Sequence, residues 1–192
     1  MHISEDPSGG RLTETQVGAT LSEALADCSL SEKRVLVVVP DGTRSAPIDM
    51  IFAMLHELLW DRVAALDFMF ALGTHQPMPE KAMLDRLGMD ERQRKEKYAG
   101  VKLLNHHWER PDTFRKLGVI PAEEIERLSR GLLSVPVEVT VNKAVFDYDL
   151  IILCGPVFPH EVVGFSGGNK YLFPGIAGRQ IIDVTHWLGA LI

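Results

Sequence analysis

Short apolar runs alternate with segments of helical periodicity along the chain. Residues 34–39 are rich in Val and lead into a Pro-Asp-Gly turn, which is the pattern of a buried strand. Apolar residues within 48–60 recur at helical spacing after Pro47, and this predicts a helix. The same patterns predict further strands at 62–72, 101–105, 137–141 and 150–154, and further helices at 79–87 and 122–130.

This alternation of strands and helices predicts an α/β fold with a mostly parallel, Rossmann-like sheet and helices on both faces. In such sheets ligands bind beyond the carboxyl ends of the strands. Polar side chains follow the predicted strands at that edge, and we expect them to meet on one concave surface. They are Asp41 and Arg44, Thr74 and His75, His106 and His107, and His160.

The two ends of the chain differ from this pattern. Residues 1–20 are polar and rich in Ser, Gly and Thr, which predicts a loose N-terminal arm or an edge hairpin before a domain at 21–192. Residues 187–192 are apolar, whereas natural termini are usually solvated. We therefore expect a piece of a longer protein, cut just inside a helix; the alternative is a short final helix tucked into the core.

Composition narrows the function classes. The 192 residues are 46% hydrophobic and 24% charged, as in ordinary folded domains, and the net charge of −6 argues against nonspecific binding to nucleic acid or to an anionic membrane. No apolar run approaches the ~20 residues of a membrane helix, and the first 20 residues lack the apolar core of a signal peptide. The two separated cysteines, Cys28 and Cys154, suit a reducing compartment, so we expect a cytoplasmic protein.

Standard nucleotide and zinc motifs are missing from the sequence. No G-x-G-x-x-G follows a predicted strand, and no cysteine pair or zincin helix is present. The glycine-rich stretch that ends at Lys170 is still unusual, because Gly167 and Gly168 allow the backbone to approach a ligand closely. Lys170 beside it is an anion contact or a covalent tether, or a solvated lysine on a surface turn.

A set of short motifs follows in order from Val35 to the end of the chain. These are Asp41-x-Thr43-Arg44-x-x-Pro47, Gly73-Thr74-His75, Asn105-His106, Pro159-His160, Gly164-Phe165-Ser166-Gly167-Gly168-Asn169-Lys170, Pro174-Gly175 and His186. Together they resemble the N-terminal domain of the nickel-pincer lactate racemases and their homologues. The spacings from His160 to Lys170 and from Lys170 to His186 match that family. The resemblance implies the first domain of a two-domain enzyme whose active site lies in the cleft between the domains.

The resemblance also implies a cofactor and the residues that hold it. The family cofactor is a pyridinium mononucleotide whose sulfur substituents hold nickel in a pincer, and a thioamide joins it to a lysine. Lys170 occupies the tether position, and His186 occupies the position of the nickel ligand, where imidazole nitrogen suits Ni²⁺ beside sulfur donors. Four further residues are expected to bind the cofactor, namely Asp41, Thr43, Gly167 and Gly168.

The implied reaction is racemisation or epimerisation of a 2-hydroxy acid, lactate or a related compound, by proton-coupled hydride transfer to the lysine-tethered nucleotide. His75 and His160 match the paired histidines that exchange the hydroxyl proton, a task suited to histidine. Arg44 matches the arginine that holds the substrate carboxylate. Departures from the family pattern at Ser45 and at 107–108 leave the particular 2-hydroxy acid open.

The implied partners are the enzymes that build the cofactor, the missing C-terminal domain and a small-molecule substrate. Recombinant protein can therefore lack the cofactor, and the isolated piece is expected to be inactive. Two alternatives stay open at this point. One is a non-catalytic or apo nucleotide-binding domain that holds a phosphate through Gly167 and Gly168. The other is a Schiff-base enzyme that uses Lys170 and needs no nickel.

Overall fold

The computed structural model describes residues 10–161 and 164–191. Its strands are β1 (Arg34–Pro40), β2 (Ala65–Ala71), β3 (Leu103–Asn105), β4 (Phe114–Ile120), β5 (Val137–Asn142), β6 (Leu150–Leu153), β7 (Pro159–His160) and β8 (Gly164–Phe165). Its α-helices are α1 (Glu14–Ala26), α2 (Ile48–Leu59), α3 (Glu80–Arg86), α4 (Glu91–Lys95), α5 (Ala122–Leu128) and α6 (Arg179–Leu191). Four strands form a parallel sheet in the order β3-β2-β1-β6, so the predicted α/β fold class is confirmed.

Strand β1 lies inside the sheet, where it pairs with β2 and β6, and both of its faces are covered. Val35, Val37 and Val39 are at most 1% exposed and pack on one side with residues of α1, α2 and α3; we call this group the first cluster. Leu36 and Val38 are fully buried on the other side. A strand buried on both faces reads as a continuous apolar run, which is why this strand was predictable.

The second face of the sheet is covered by short 3₁₀ segments. Lys143–Asp147 and Gly168–Tyr171 lie over it, and Tyr171 and Ile176 pack with Leu36, Val38 and Met69; we call this group the second cluster. Helical segments therefore flank the sheet on both faces, as predicted. The helix on this side that carries Lys170 is only four residues long, from Gly168 to Tyr171.

Strands β4 and β5 form a separate antiparallel pair, so the strand predicted at 137–141 lies outside the parallel sheet. Helices α5 and α6 pack against it through the third cluster, whose buried members are Ile125, Val137, Ala177 and Ile181. Strand β4 was not predicted. Most of its side chains are exposed or half-buried, and its charged residues and glycine hide the alternation of a strand.

Helix α1 corrects the prediction for the N-terminus, because residues 14–20 are helical and do not form an arm or a hairpin. Thr13 and Gln16 make a capping box in which the Thr13 hydroxyl accepts from the Gln16 N–H and the Gln16 amide oxygen accepts from the Thr13 N–H, at 3.3 and 2.8 Å. The part of the predicted arm at 1–9 lies outside the described residues. Within the described ranges, no helix has both the length and the apolar character that a membrane crossing requires.

Candidate active site at the carboxyl edge of the sheet

A pocket of about 180 Å³ opens where β1 and β2 end, beside the glycine-rich stretch and α6. The predicted site residues that line it are Asp41, Thr43, Arg44, His75, His160, Gly167, Lys170 and His186. Gly168 is exposed and lies outside the lining. The structure therefore brings Asp41, Arg44, Thr74, His75 and His160 together on one concave surface with His186. His106 and His107 were expected on the same surface, but they lie outside its lining.

Asp41 and His75 form a hydrogen-bonded pair in this pocket. The His75 Nδ1 lies 2.6 Å from the Asp41 Oδ2, and the side chains are 53% and 10% exposed, respectively. Burial opposes ionisation of Asp41, but hydrogen bonds from the Thr43 hydroxyl, the His75 ring and the Thr43 N–H outweigh it and hold the pKa of Asp41 below its ordinary value. An ionised Asp41 only accepts hydrogen bonds, so the His75 Nδ1 carries the proton and the neutral ring keeps Nε2 as an acceptor.

This pairing involves two residues with another expected role. Asp41 and Thr43 were expected to bind the cofactor, and that role stays a prediction. In the structure, the N–H and hydroxyl of Thr43 both donate to the Asp41 Oδ1, while the other carboxylate oxygen meets His75. Both residues line the pocket, but their hydrogen bonds orient a catalytic candidate.

His160 and Lys170 also line this pocket. The His160 side chain is only 10% exposed, at the end of β7. Burial, and next the positive charge of Lys170, lowers the pKa of His160, although Glu161 opposes the shift. Burial and next Arg44 likewise lower the pKa of Lys170. Burial and neighbouring positive charge thus shift both groups towards their neutral forms.

Arg44 lies in the loop after β1, with its guanidinium carbon 5.7 Å from the centre of the Phe158 ring. The loop is held from α3 by Arg86, whose guanidinium donates to the carbonyls of Arg44 (2.8 Å), Ala46 (3.3 Å) and Pro40 (3.4 Å). Arg86 was not predicted as a functional residue. In the sequence it is a basic residue in the last turn of a predicted helix. A favourable interaction with the helix dipole explains a basic residue there equally well, so the sequence alone does not indicate a functional role.

The glycine-rich stretch shapes the Lys170 wall. Gly167 and Gly168 have φ angles of 81° and 50°, in the left-handed region that favours glycine. A Cβ on Gly167 would lie 2.7 Å from the Pro156 carbonyl oxygen, so close packing of two backbone segments requires this glycine. The Gly175 N–H donates to the Lys170 carbonyl at 2.9 Å, which fixes the backbone from which the lysine projects.

His186 lies on α6 with its tautomer fixed. Its Nδ1 lies 2.6 Å from the Ile182 carbonyl oxygen, which can only accept, so Nδ1 carries the proton and Nε2 offers a lone pair. Such an imidazole is a competent ligand for a transition metal. No three His, Cys, Asp or Glu side chains of residues 10–161 and 164–191 are grouped to hold a metal ion. A metal ion bound to the His186 Nε2 would thus need donors besides these side chains.

Comparison with known proteins agrees with this architecture. The sequence model of the lactate racemase N-terminal domain matches residues 14–191. The chain belongs to this family. It is 24% identical to the lactate racemase of Thermoanaerobacterium thermosaccharolyticum over 188 residues, which are 97% of this chain and 39% of that protein. It is also 24% identical to the lactate racemase of Lactiplantibacillus plantarum over 186 residues, 96% of this chain and 39% of that protein.

Two solved structures resemble this lactate racemase family member. A protein from Thermotoga maritima matches with a TM-score of 0.81 and 31% identity, over 94% of this chain and 42% of that chain. The lactate racemase apoprotein from T. thermosaccharolyticum matches with a TM-score of 0.70 and 22% identity, over 90% of this chain and 39% of that chain. The second likeness shows a shared fold. The chain spans 39% of the length of both curated relatives.

Proposed function

We propose that this chain is the catalytic N-terminal domain of a racemase or epimerase that acts on a 2-hydroxy acid. The observation that carries the proposal is one pocket lined by His75, which is hydrogen-bonded to Asp41, and by His160, Arg44 and Lys170. Two bases in one pocket suit a reaction whose two enantiomers present the same hydroxyl group from different sides.

His75 serves as one proton acceptor. In its neutral form the ring takes the hydroxyl proton of the substrate on Nε2, while Nδ1–H stays hydrogen-bonded to Asp41. The carboxylate then stabilises the resulting imidazolium, as in other histidine–aspartate pairs. His160 is the second acceptor. Burial disfavours its charged form, which favours the free base near neutral pH.

Arg44 binds the substrate carboxylate. A guanidinium can hold a carboxylate through two parallel hydrogen bonds and so fix the α-carbon in the pocket. The three carbonyl contacts of Arg86 support this role because they fix the loop on which Arg44 lies. An immobile loop reduces the entropy that orienting the substrate costs.

Lys170 and His186 hold the cofactor in this proposal, and Gly167 lines the same pocket beside Lys170. A neutral amine is required for an amide-type bond, and the lowered pKa of Lys170 supports that form. The Nε2 lone pair of His186 is the protein's nickel ligand. When bound, the nickel-pincer nucleotide supplies a hydride acceptor and donor for the substrate α-carbon.

A second domain completes the pocket in this proposal, since the relatives extend well beyond the matched region. Exposed apolar side chains near the pocket support it: Trp187 follows His186 and is 63% exposed, and Phe165 at the edge of the β7–β8 pair is 64% exposed. Apolar groups of this size on a protein surface often mark an interaction site. The cofactor-building enzymes as partners and the cytoplasmic location remain predictions.

Intact mass spectrometry tests the cofactor role. Full-length protein co-expressed with the cofactor-building enzymes is expected to carry a large adduct on Lys170 and about one nickel per chain. Lys170→Ala should abolish the adduct, and Lys143→Ala, at a lysine outside the pocket, should retain it. A Lys170→Ala protein that keeps the nucleotide and racemises its substrate at the normal rate would contradict the proposal.

Racemisation kinetics test the histidines. His75→Ala and His160→Ala should each keep the adduct and lose racemisation by roughly 10²–10⁴-fold, because an acid–base group affects only the chemical step. Two other outcomes would support the alternatives. Trapping of Lys170 by borohydride in the presence of a carbonyl compound, without nickel, would indicate a Schiff-base enzyme. A nucleotide bound without covalent attachment or turnover would indicate a binding domain.

A further inference from the structure

Residues 105–108, which begin with the last residue of β3, contact two walls of the pocket without lining it. Asn105 and Trp108 contact the loop that carries His75, and His106 contacts the turn that precedes α6. We call residues 105–108 the linking segment. The hydrogen bonds of Asn105 and Trp108, and the bond of His106 to Ala177, go to backbone groups and contact none of the reacting groups.

The first set of contacts holds the His75 loop. The Asn105 Oδ1 accepts from the Met78 N–H at 3.0 Å, and the Asn105 Nδ2 donates to the Met78 carbonyl at 2.9 Å. The Trp108 Nε1 donates to the His75 carbonyl at 3.1 Å. The loop is therefore fixed both at His75 and at Met78. Each of these contacts joins segments about thirty residues apart in sequence, so none of them is a local turn bond.

The His75 loop has a particular need for such support. Residues 74–76 are exposed, and the His75 side chain is 53% exposed. Packing therefore contributes little to its position, yet its bond to Asp41 is short, at 2.6 Å. Hydrogen bonds weaken steeply with distance and angle, and a misplacement of about 1 Å can cost roughly 100-fold in rate. The position of the backbone consequently decides whether the ring meets Asp41.

The second set of contacts reaches helix α6. His106 is fully buried; its Nε2 donates to the Ala177 carbonyl at 3.2 Å, and its Nδ1 accepts from the Asn142 amide at 3.2 Å. Ala177 lies two residues before α6, the helix that carries His186. The Gly73 N–H also donates to the Gly175 carbonyl at 2.9 Å, so the two pocket walls meet here as well.

We propose that the linking segment sets the position of His75 relative to α6, with Asn105 and Trp108 as positioning residues for proton transfer by His75. The proposal rests on the proposed role of His75 as a proton acceptor. Asn105 and Trp108 act through His75: the Trp108 indole N–H fixes the His75 carbonyl, and the Asn105 amide fixes the end of the same loop. His106 joins this arrangement to the start of the helix that carries His186.

Trp108→Phe in full-length, cofactor-loaded protein is the sharpest test, because it keeps an aromatic ring and removes the N–H. We expect kcat to fall about fivefold, the worth of one hydrogen bond, with KM unchanged because the substrate contacts of Arg44 are untouched. Trp60→Phe is the matched control. Trp60 stacks on His56 away from the pocket, and its variant should keep both constants.

Variants of Asn105 provide an independent series. Asn105→Asp keeps the acceptor for the Met78 N–H and loses the donor, whereas Asn105→Leu loses both. The kcat of Asn105→Asp should therefore lie between those of the wild type and Asn105→Leu. A role confined to stability would lower the melting temperature without this order in kcat, and that result would overturn the proposal for Asn105.

Nitrogen-15 NMR of the histidine rings gives a readout that needs no turnover. In the wild-type apoprotein, the His75 proton should reside on Nδ1, and Trp108→Phe should give a mixture of tautomers while Trp60→Phe should not. If Trp108→Phe matches Trp60→Phe in kcat, in KM and in this spectrum, the proposal is overturned. Failure of the proposed function would look different, since His75→Ala would then racemise normally whatever the spectrum of Trp108→Phe.

Discussion

His106 should contribute strongly to the destabilisation of this fold by acid. The ring is fully buried at the end of β3, where Nε2 donates to Ala177 and Nδ1 accepts from Asn142. A proton on Nδ1 would oppose the Asn142 amide donor in a site that excludes water. Burial, partly offset by the Ala177 carbonyl, lowers the pKa of His106 to about 4. Protonation is therefore far less favourable in the folded chain than in the unfolded one.

The size of the effect follows from the two pKa values. An unfolded histidine titrates near pH 6.5, so between about pH 6.5 and pH 4 the unfolded state binds more protons at His106 than the folded state does. The stabilisation is fully present above pH 6.5 and is lost as the pH falls towards 4. At roughly 1.4 kcal/mol per pKa unit, the loss amounts to about 3 kcal/mol, a large fraction of the stability of a small domain.

Urea unfolding of the wild type and of His106→Gln at about pH 7 and about pH 4.5 measures this loss. Glutamine keeps a donor and an acceptor but does not titrate. The free energy of unfolding of His106→Gln should therefore fall by clearly less than that of the wild type between the two pH values. The quantity to compare is the change in the free energy of unfolding between the two pH values, because the substitution itself changes stability at both. His107→Gln, at the half-buried neighbour, should behave like the wild type. Equal decreases in the wild type and His106→Gln would refute the reasoning.

Two further substitutions have expected outcomes that follow from single contacts. Asp41→Asn would turn an amide donor towards the His75 Nδ1 and favour the wrong tautomer, so kcat of the loaded enzyme should fall about 100-fold with the adduct mass unchanged; an unchanged kcat would contradict the pairing. Gly155→Ala would place a Cβ against the Tyr171 hydroxyl and should cost about 1–3 kcal/mol in thermal unfolding. Gly42→Ala, whose Cβ meets nothing within 4 Å, is its control and should melt close to the wild type.

The central sheet was predictable because its buried strands are runs of apolar residues, which the local sequence shows. Strands β1, β2 and β6 are apolar over most of their length, and the helix between β1 and β2 follows the helical period. This apolar pattern is weaker where burial is partial. Strand β4 is largely exposed, so its polar and apolar residues do not mark it as a strand. The start of α1 depends on a pair of capping side chains, Thr13 and Gln16, in a stretch whose composition alone indicates a loop.

The candidate site also has a part that was predictable from the sequence and a part that was not. The convergence of Asp41 and His75 follows from strand topology, since the carboxyl ends of parallel strands meet at one edge. The place of His186 was indicated by the family resemblance, and that of His160 by the resemblance and by its position after a predicted strand. Contacts between distant segments left no local signal: the bond of Asp41 to His75 spans 34 residues, and that of Trp108 to the His75 carbonyl spans 33. Three-dimensional packing brings such partners together, and the local sequence pattern does not indicate which residues will meet.

The division of the interior into three clusters has a consequence for the way the protein opens. Lys170 adjoins Tyr171 of the second cluster, whereas His186 is carried by α6, which packs through Ile181 on the small third cluster. An element that packs on a small cluster exchanges its amide hydrogens through local opening at a lower free energy than the central sheet does. A ligand that binds both Lys170 and His186 joins the two clusters, so part of its binding free energy must be lost before α6 can open. Loading the pocket should therefore slow hydrogen exchange along α6 and β5 and merge them with the sheet into one cooperative unit.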